Sequence, residues 1–245
     1  MMGAPMRPLN PYKLEAFSLI EIAIALMIIG IVAWTGQKAF QTTIKIKEQQ
    51  TTNARLHEVQ EAMRAYFARH NRLPCPAHLK SNGNESLTHM GCNANPGLIP
   101  YASLGLSKNH QVDGSSRLIL YGSHPTVCEP SELDSLQTTK LCSIDNEPGI
   151  TIHKAKPSTA NQDPPIAYVL ISFGSKGGSP FDQAGDPTPE EAENDSSNMI
   201  FIEGDGASIR HHVIWKNADI LAIEVFGETC KSMKNKAISV NKLDN

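Results

Sequence analysis

Residues 17–33 read FSLIEIAIALMIIGIVA, an apolar run interrupted only by Ser18 and one acid, Glu21. Apolar character continues through Trp34 to Gly36, so the run is about 20 residues long. At a rise of about 1.5 Å per residue that is about 30 Å of helix, enough to cross a bilayer core. A segment of this kind needs lipid or other protein around it. A carboxylate near one end is costly at membrane depth unless it finds a partner. The plainer account of Glu21 is an acid in the first turn of a helix, favoured by the helix dipole and resting at the interface.

The stretch before the run narrows the choice. Residues 1–16 carry Arg7, Lys13 and Glu15 together with Pro5, Pro8 and Pro11, and end at Ala16. An ordinary secretory signal is cut after its apolar run, yet no Ala-x-Ala-like site follows this one. A basic leader, a small residue, then Phe-Ser-Leu-Ile-Glu and an apolar run resemble the cleavage and methylation signal of type IV prepilins and of type II secretion pseudopilins. The close similarity covers about residues 7–40.

The resemblance implies that a prepilin peptidase cuts the Ala16–Phe17 bond on the cytoplasmic side. It implies that Phe17 becomes the N-methylated terminus and that Glu21 is the retained acid. In a filament, Glu21 of one subunit would pair with the amine of Phe17 on the next, offsetting two desolvation penalties and setting axial register. The departure from the pattern is Ala16, where the family usually has Gly; Ala is the nearest substitute in size. The implied partners are the peptidase, other pilin or pseudopilin subunits, the inner-membrane assembly platform and the membrane itself. Basic residues flank the run on both sides, so the positive-inside rule does not choose an orientation. A single pass with a cytoplasmic N-terminus and a periplasmic body, followed by transfer into a filament, comes from the resemblance.

From Gln37 to His70 there is no proline, and Leu56, Val59, Met63 and Tyr66 recur at steps of three and four. One continuous helix is expected from Phe17 to His70, about 80 Å long, with its second half amphipathic and packed on a globular body. It should stop at Asn71-Arg72-Leu73-Pro74, because a proline drives the preceding residue out of helical geometry. The run Arg-Leu-Pro-Cys-Pro-Ala that follows resembles a subset of pseudopilin-like proteins, as do Leu98-Ile99-Pro100 and Ser103-Leu104-Gly105-Leu106.

Residues 77–116 look loop-rich. Short segments rich in Ile, Val, Tyr and Phe then suggest strands at Arg117–Tyr121, Ile150–His153, Ile166–Phe173, Met199–Glu203 and His212–Trp215. Asp219–Phe226 leans to a helix capped by Asp219, and the polar tail from Lys231 is expected to be mobile. The organisation reads as a leader (1–16), a transmembrane or filament-core helix (17–36), an amphipathic half-helix (37–73), a periplasmic or extracellular globular domain (74–230) and a polar tail (231–245). The fold class is α+β, a long N-terminal helix packed on an antiparallel sheet, and the resemblance makes it type IV pilin-like.

Five cysteines, Cys75, Cys92, Cys128, Cys142 and Cys230, form no CxxC pair. In an oxidising compartment disulfides are expected. Cys75 with Cys92 and Cys128 with Cys142 close the shortest loops. Four paired cysteines allow three connectivities, and Cys230 pairing with one of the others stays open.

The acidic stretch 174–195 raises a calcium question. Ser172-Phe173-Gly174 and Val213-Ile214-Trp215 resemble the surroundings of a calcium site in major pseudopilins. Lys176 and His211-His212 stand where acids are expected, and calcium wants six to eight oxygen ligands. Asp182, Asp186 and Asp195 are the candidate ligands; the competing account is a solvated acidic loop. No other cofactor is implied.

Catalytic signals are weak. No Gly-x-Ser-x-Gly elbow occurs, and Gly174-Ser175-Lys176-Gly177-Gly178 lacks P-loop spacing. The net charge of −3 and 6% aromatic content announce no nucleic-acid surface. The resemblance implies a non-enzymatic structural subunit, a pseudopilin or minor pilin. The alternative is a single-pass membrane-anchored periplasmic binding module or enzyme.

Overall fold

The computed structural model describes residues 18–88, 91–93, 95–129, 137–144, 149–154, 165–174, 194, 198–204 and 211–241. The chain divides into two units between Ile46 and Lys47. The protein is mixed α+β, with helices and antiparallel sheets.

Helix α1 runs from Leu19 to His70, 52 residues. It opens on the Ser18 carbonyl, which accepts from the Glu21 and Ile22 amides. In the first unit its large apolar side chains are exposed, among them Leu19, Ile20, Leu26, Met27 and Ile29.

In the second unit the sequence periodicity becomes packing. Leu56, Val59, Met63, Tyr66 and Phe67 are buried in one cluster with Tyr121, Tyr168 and Leu170. The helix ends because Asn71 takes a left-handed conformation (φ 52°) and its amide closes on the Phe67 carbonyl at 2.8 Å. Asparagine tolerates that geometry and satisfies an orphan carbonyl. Pro74 is thus the second barrier to the helix, behind Asn71.

The region expected to be loop-rich contains short strands: β1 (Leu87–Thr88), β2 (Gly91–Cys92) and β3 (Gly97–Leu98). Two-residue strands leave no period to detect. Strand β4 covers Leu120–Ser123, later than the expected Arg117–Tyr121, because Arg117 belongs to a turn held by Asp113. The short helices α2 (Pro125–Cys128) and α3 (Gln137–Ser143) follow. Then come β5 (Thr151–Lys154), β6 (Ile166–Ser172), β7 (Ile200–Glu203) and β8 (His212–Asn217).

The main sheet is antiparallel with order β3-β4-β6-β8. Its central strand β6 is buried at every residue because both of its faces are covered. Tyr168 and Leu170 face the α1 cluster. Val169 and Ile171 join a second cluster with Ile152 and Phe201. That second layer contains β5 and β7, which pair in parallel, Thr151 opposite Ile200; a purely antiparallel sheet was expected.

Helix α4 (Ala218–Phe226) confirms the helical leaning, with a different cap. The Asn217 side chain accepts from the Ile220 amide at 2.7 Å. Asp219 instead accepts from the Cys230 amide at 3.0 Å. The expected mobile tail is helix α5 (Cys230–Asn241), held by Cys230 and by Met233 against the core.

Candidate functional site

The first candidate is the exposed apolar part of α1. Glu21 lies in the first turn. Around it Leu19, Ile20, Ile22 and Ile24 are exposed, Leu19 at 88%. These residues point round the helix rather than along one stripe, as expected of a helix surrounded by apolar material. Among the described residues no helix is long and apolar enough to cross a membrane. Ala16 and Phe17, the expected cleavage and methylation positions, lie outside the described residues.

The second candidate is a sulfur cluster in the second unit. Cys75 and Cys92 form a disulfide. The expected Cys128–Cys142 pairing is not made: Cys142 bonds Cys230, 88 positions away, and Cys128 is a buried free thiol. Tertiary packing overrides loop length here. Cys142 sits in α3 and Cys230 opens α5, and both belong to the α1 core cluster. Cys128 ends α2, which is tied to the segment after α1 by the Leu73 amide bonding the Val127 carbonyl at 3.0 Å. That bond carries Cys128 to the Cys75–Cys92 bridge, where its Sγ lies 2.7 Å from Cys92 Sγ. The three sulfurs all fall within 4.8 Å of one another. Burial pushes the Cys128 thiol up to about 11. With Cys75 and Cys92 bonded, the cluster offers one thiol and no metal-binding set.

Beside it stands a half-buried ion pair. Glu85 takes both guanidinium nitrogens of Arg72 at 2.7 Å, the Cys75 amide at 3.0 Å and the Tyr66 hydroxyl at 2.8 Å. Burial raises the Glu85 carboxyl. The Arg72 guanidinium, the Cys75 amide and the Tyr66 hydroxyl together outweigh burial and hold it below its ordinary value. Glu85 thereby fixes the backbone beside the disulfide.

The Ser172-Phe173-Gly174 motif has a described acid partner of another kind. The Ser172 hydroxyl donates to Asp113 Oδ2 at 2.7 Å, and the Gly174 amide donates to the same oxygen at 3.0 Å. Asp113 Oδ1 accepts the amides of Ser115 at 2.9 Å and Arg117 at 3.0 Å. Asp113 is fully buried, and this set of donors compensates its carboxylate. Arg55 of α1 donates to the carbonyls of Val112 and Asp113 at 2.9 and 2.8 Å. Gly114 must be glycine, because a Cβ there would run into the Glu48 carbonyl of α1.

Asp113 did not stand out in the sequence because two of its donors, Ser172 and Gly174, are far along the chain; the other two, Ser115 and Arg117, belong to its own Asp-Gly turn, the one local signal. The calcium candidates Asp182, Asp186 and Asp195 lie outside the described residues. His212, whose burial lowers its pKa, is a poor calcium ligand.

No protein-family model, curated protein or solved structure matches the chain.

Proposed function

We propose that this chain is a pilin-like structural subunit, a pseudopilin or minor pilin. In this reading a prepilin peptidase processes it at Ala16–Phe17, the inner membrane holds it, and it is then built into a type II secretion pseudopilus or a type IV pilus. The observation that carries the reading is the helical stretch from Leu19 to Val32 with its large apolar side chains exposed and an acid in its first turn. An isolated helix with that surface is stable only where lipid or neighbouring apolar helices replace water. Lipid before assembly and sister helices afterwards meet that need in turn. The second unit, with its own core and two disulfides, supplies a rigid body for the filament exterior.

Glu21 has a stated role here: its carboxylate meets the terminal amine of Phe17 on the next subunit. Glu21→Ala tests it. Removing one partner of a desolvated ion pair costs about 3 kcal/mol or more, which is a loss of about a hundredfold in each subunit contact. The variant should remain in the membrane fraction of its own cells at wild-type level while its incorporation into filaments collapses. Filaments formed normally by Glu21→Ala would contradict the role, and the membrane-anchored periplasmic module would become the better account.

A further inference from the structure

The sulfur cluster contains a thiol in contact with a disulfide, and neither the proposed assembly role nor the core accounts for it. Cys128 Sγ lies 2.7 Å from Cys92 Sγ, well inside the separation of two sulfurs in ordinary contact. The three sulfurs share one site. Each comes from a different segment: Cys75 from the stretch after α1, Cys92 from β2, Cys128 from the end of α2. Cys75 and Cys128 are both fully buried, so their closest reaction partners are one another's sulfurs and Cys92.

We propose that Cys92 is a shared disulfide partner, which bonds Cys75 in one state of the molecule and Cys128 in the other. The step is an internal thiol–disulfide exchange. The Cys128 thiolate attacks Cys92 Sγ, the Cys92–Cys128 bond forms, the Cys75–Cys92 bond breaks, and Cys75 leaves as the thiolate. The proton given up by Cys128 ends on Cys75. Two disulfides and one thiol exist before and after, so no oxidant or reductant is consumed. The closed loop changes from 17 to 36 positions, and such a doubling alters chain entropy little.

The consequence is mechanical. In the first state the bridge ties β2 to the segment leaving α1. In the second it ties β2 to α2 and removes the covalent anchor of that segment, which keeps the Glu85 bond to the Cys75 amide, the Tyr121 hydroxyl bond to the Pro74 carbonyl and the Leu73–Val127 and Ala77–Leu98 backbone bonds. The rate is set by the thiolate. Burial holds Cys128 as a thiol up to about 11, so exchange is slow at neutral pH. It should accelerate about tenfold for each unit that the pH rises toward that value.

The test uses the oxidised full chain, incubated natively from about pH 7 to about pH 10. Samples are then quenched in acid, denatured, alkylated with N-ethylmaleimide and mapped as peptides. Tryptic cleavage after Arg72, Lys80, Lys108, Arg117 and Lys140 puts the three cysteines on separate peptides. The expected result is a Cys92–Cys128 linkage with the label on Cys75, appearing about tenfold faster per pH unit. A Cys75–Cys92 linkage with the label on Cys128 at every pH would overturn the proposal.

Cys75→Ser supplies an independent arm. Exposed to oxidised glutathione, it should form Cys92–Cys128 completely, with the Cys142–Cys230 bridge reporting that the body has folded. Cys92 and Cys128 both recovered as thiols beside an intact Cys142–Cys230 bridge would also overturn it. Both arms are independent of the filament reading, because they need only the folded second unit.

Discussion

Two carboxylates, Glu85 and Asp113, carry much of the body's polar interior, in different ways. Glu85 is held below its ordinary value near 4.5, so the unfolded chain takes up the proton first as pH falls. Its contribution to stability is complete above about pH 4.5 and is lost as pH falls through the lower folded value. Urea midpoints of wild type and Glu85→Gln should show this. The variant is less stable at neutral pH, and its stability falls less than that of wild type between about pH 5 and pH 3. Asp113 is a matter of satisfaction. Asp113→Ala leaves the amides of Ser115, Arg117 and Gly174 without their acceptor and should cost about 3 kcal/mol in urea unfolding, whereas Ser172→Ala should cost about 1 kcal/mol. Neither carboxylate stood out in the sequence. Asp113 takes two of its donors from Ser172 and Gly174, Glu85 takes its donors from Tyr66, Arg72 and Cys75, and no local spacing encodes such contacts.

At the scale of elements, the parts read correctly were those with a helical period or a run of apolar residues. Leu56, Val59, Met63 and Tyr66 announced the buried face of α1, and Ile166–Ser172 announced the central strand. The short strands β1, β2 and β3 are too brief to carry a signal. Helix α5 was missed because its sequence, CKSMKNKAISVN, is mostly polar, with its apolar residues scattered. What orders it is covalent and long-range: the Cys142–Cys230 bridge, 88 positions apart. Choosing bridges by loop length failed at this point, since loop entropy is a weak preference beside the packing that brings α3 to α5. The double variant Cys142→Ser, Cys230→Ser should lose about 3–4 kcal/mol of stability in denaturant unfolding. Circular dichroism should record a helix loss no larger than the 12 residues of α5 under mild conditions. The Cys75–Cys92 bridge should survive, as it belongs to a different part of the unit.

The whole molecule joins an exposed apolar helical stretch to a body with its own core. The stretch was legible because a run of about 20 apolar residues has few ways to be satisfied, and the leader before it gave the processing reading. The assembly partner was not legible, since the surface that meets it belongs to folded geometry and to other chains. Everything proposed about function turns on the chain losing its first 16 residues. The measurement that reaches this most directly is intact-mass and N-terminal peptide mass spectrometry of the protein purified from its own cells. The account predicts a chain that begins at Phe17 with one methyl group on its amine. A chain that still begins at Met1 or Met2 would contradict it.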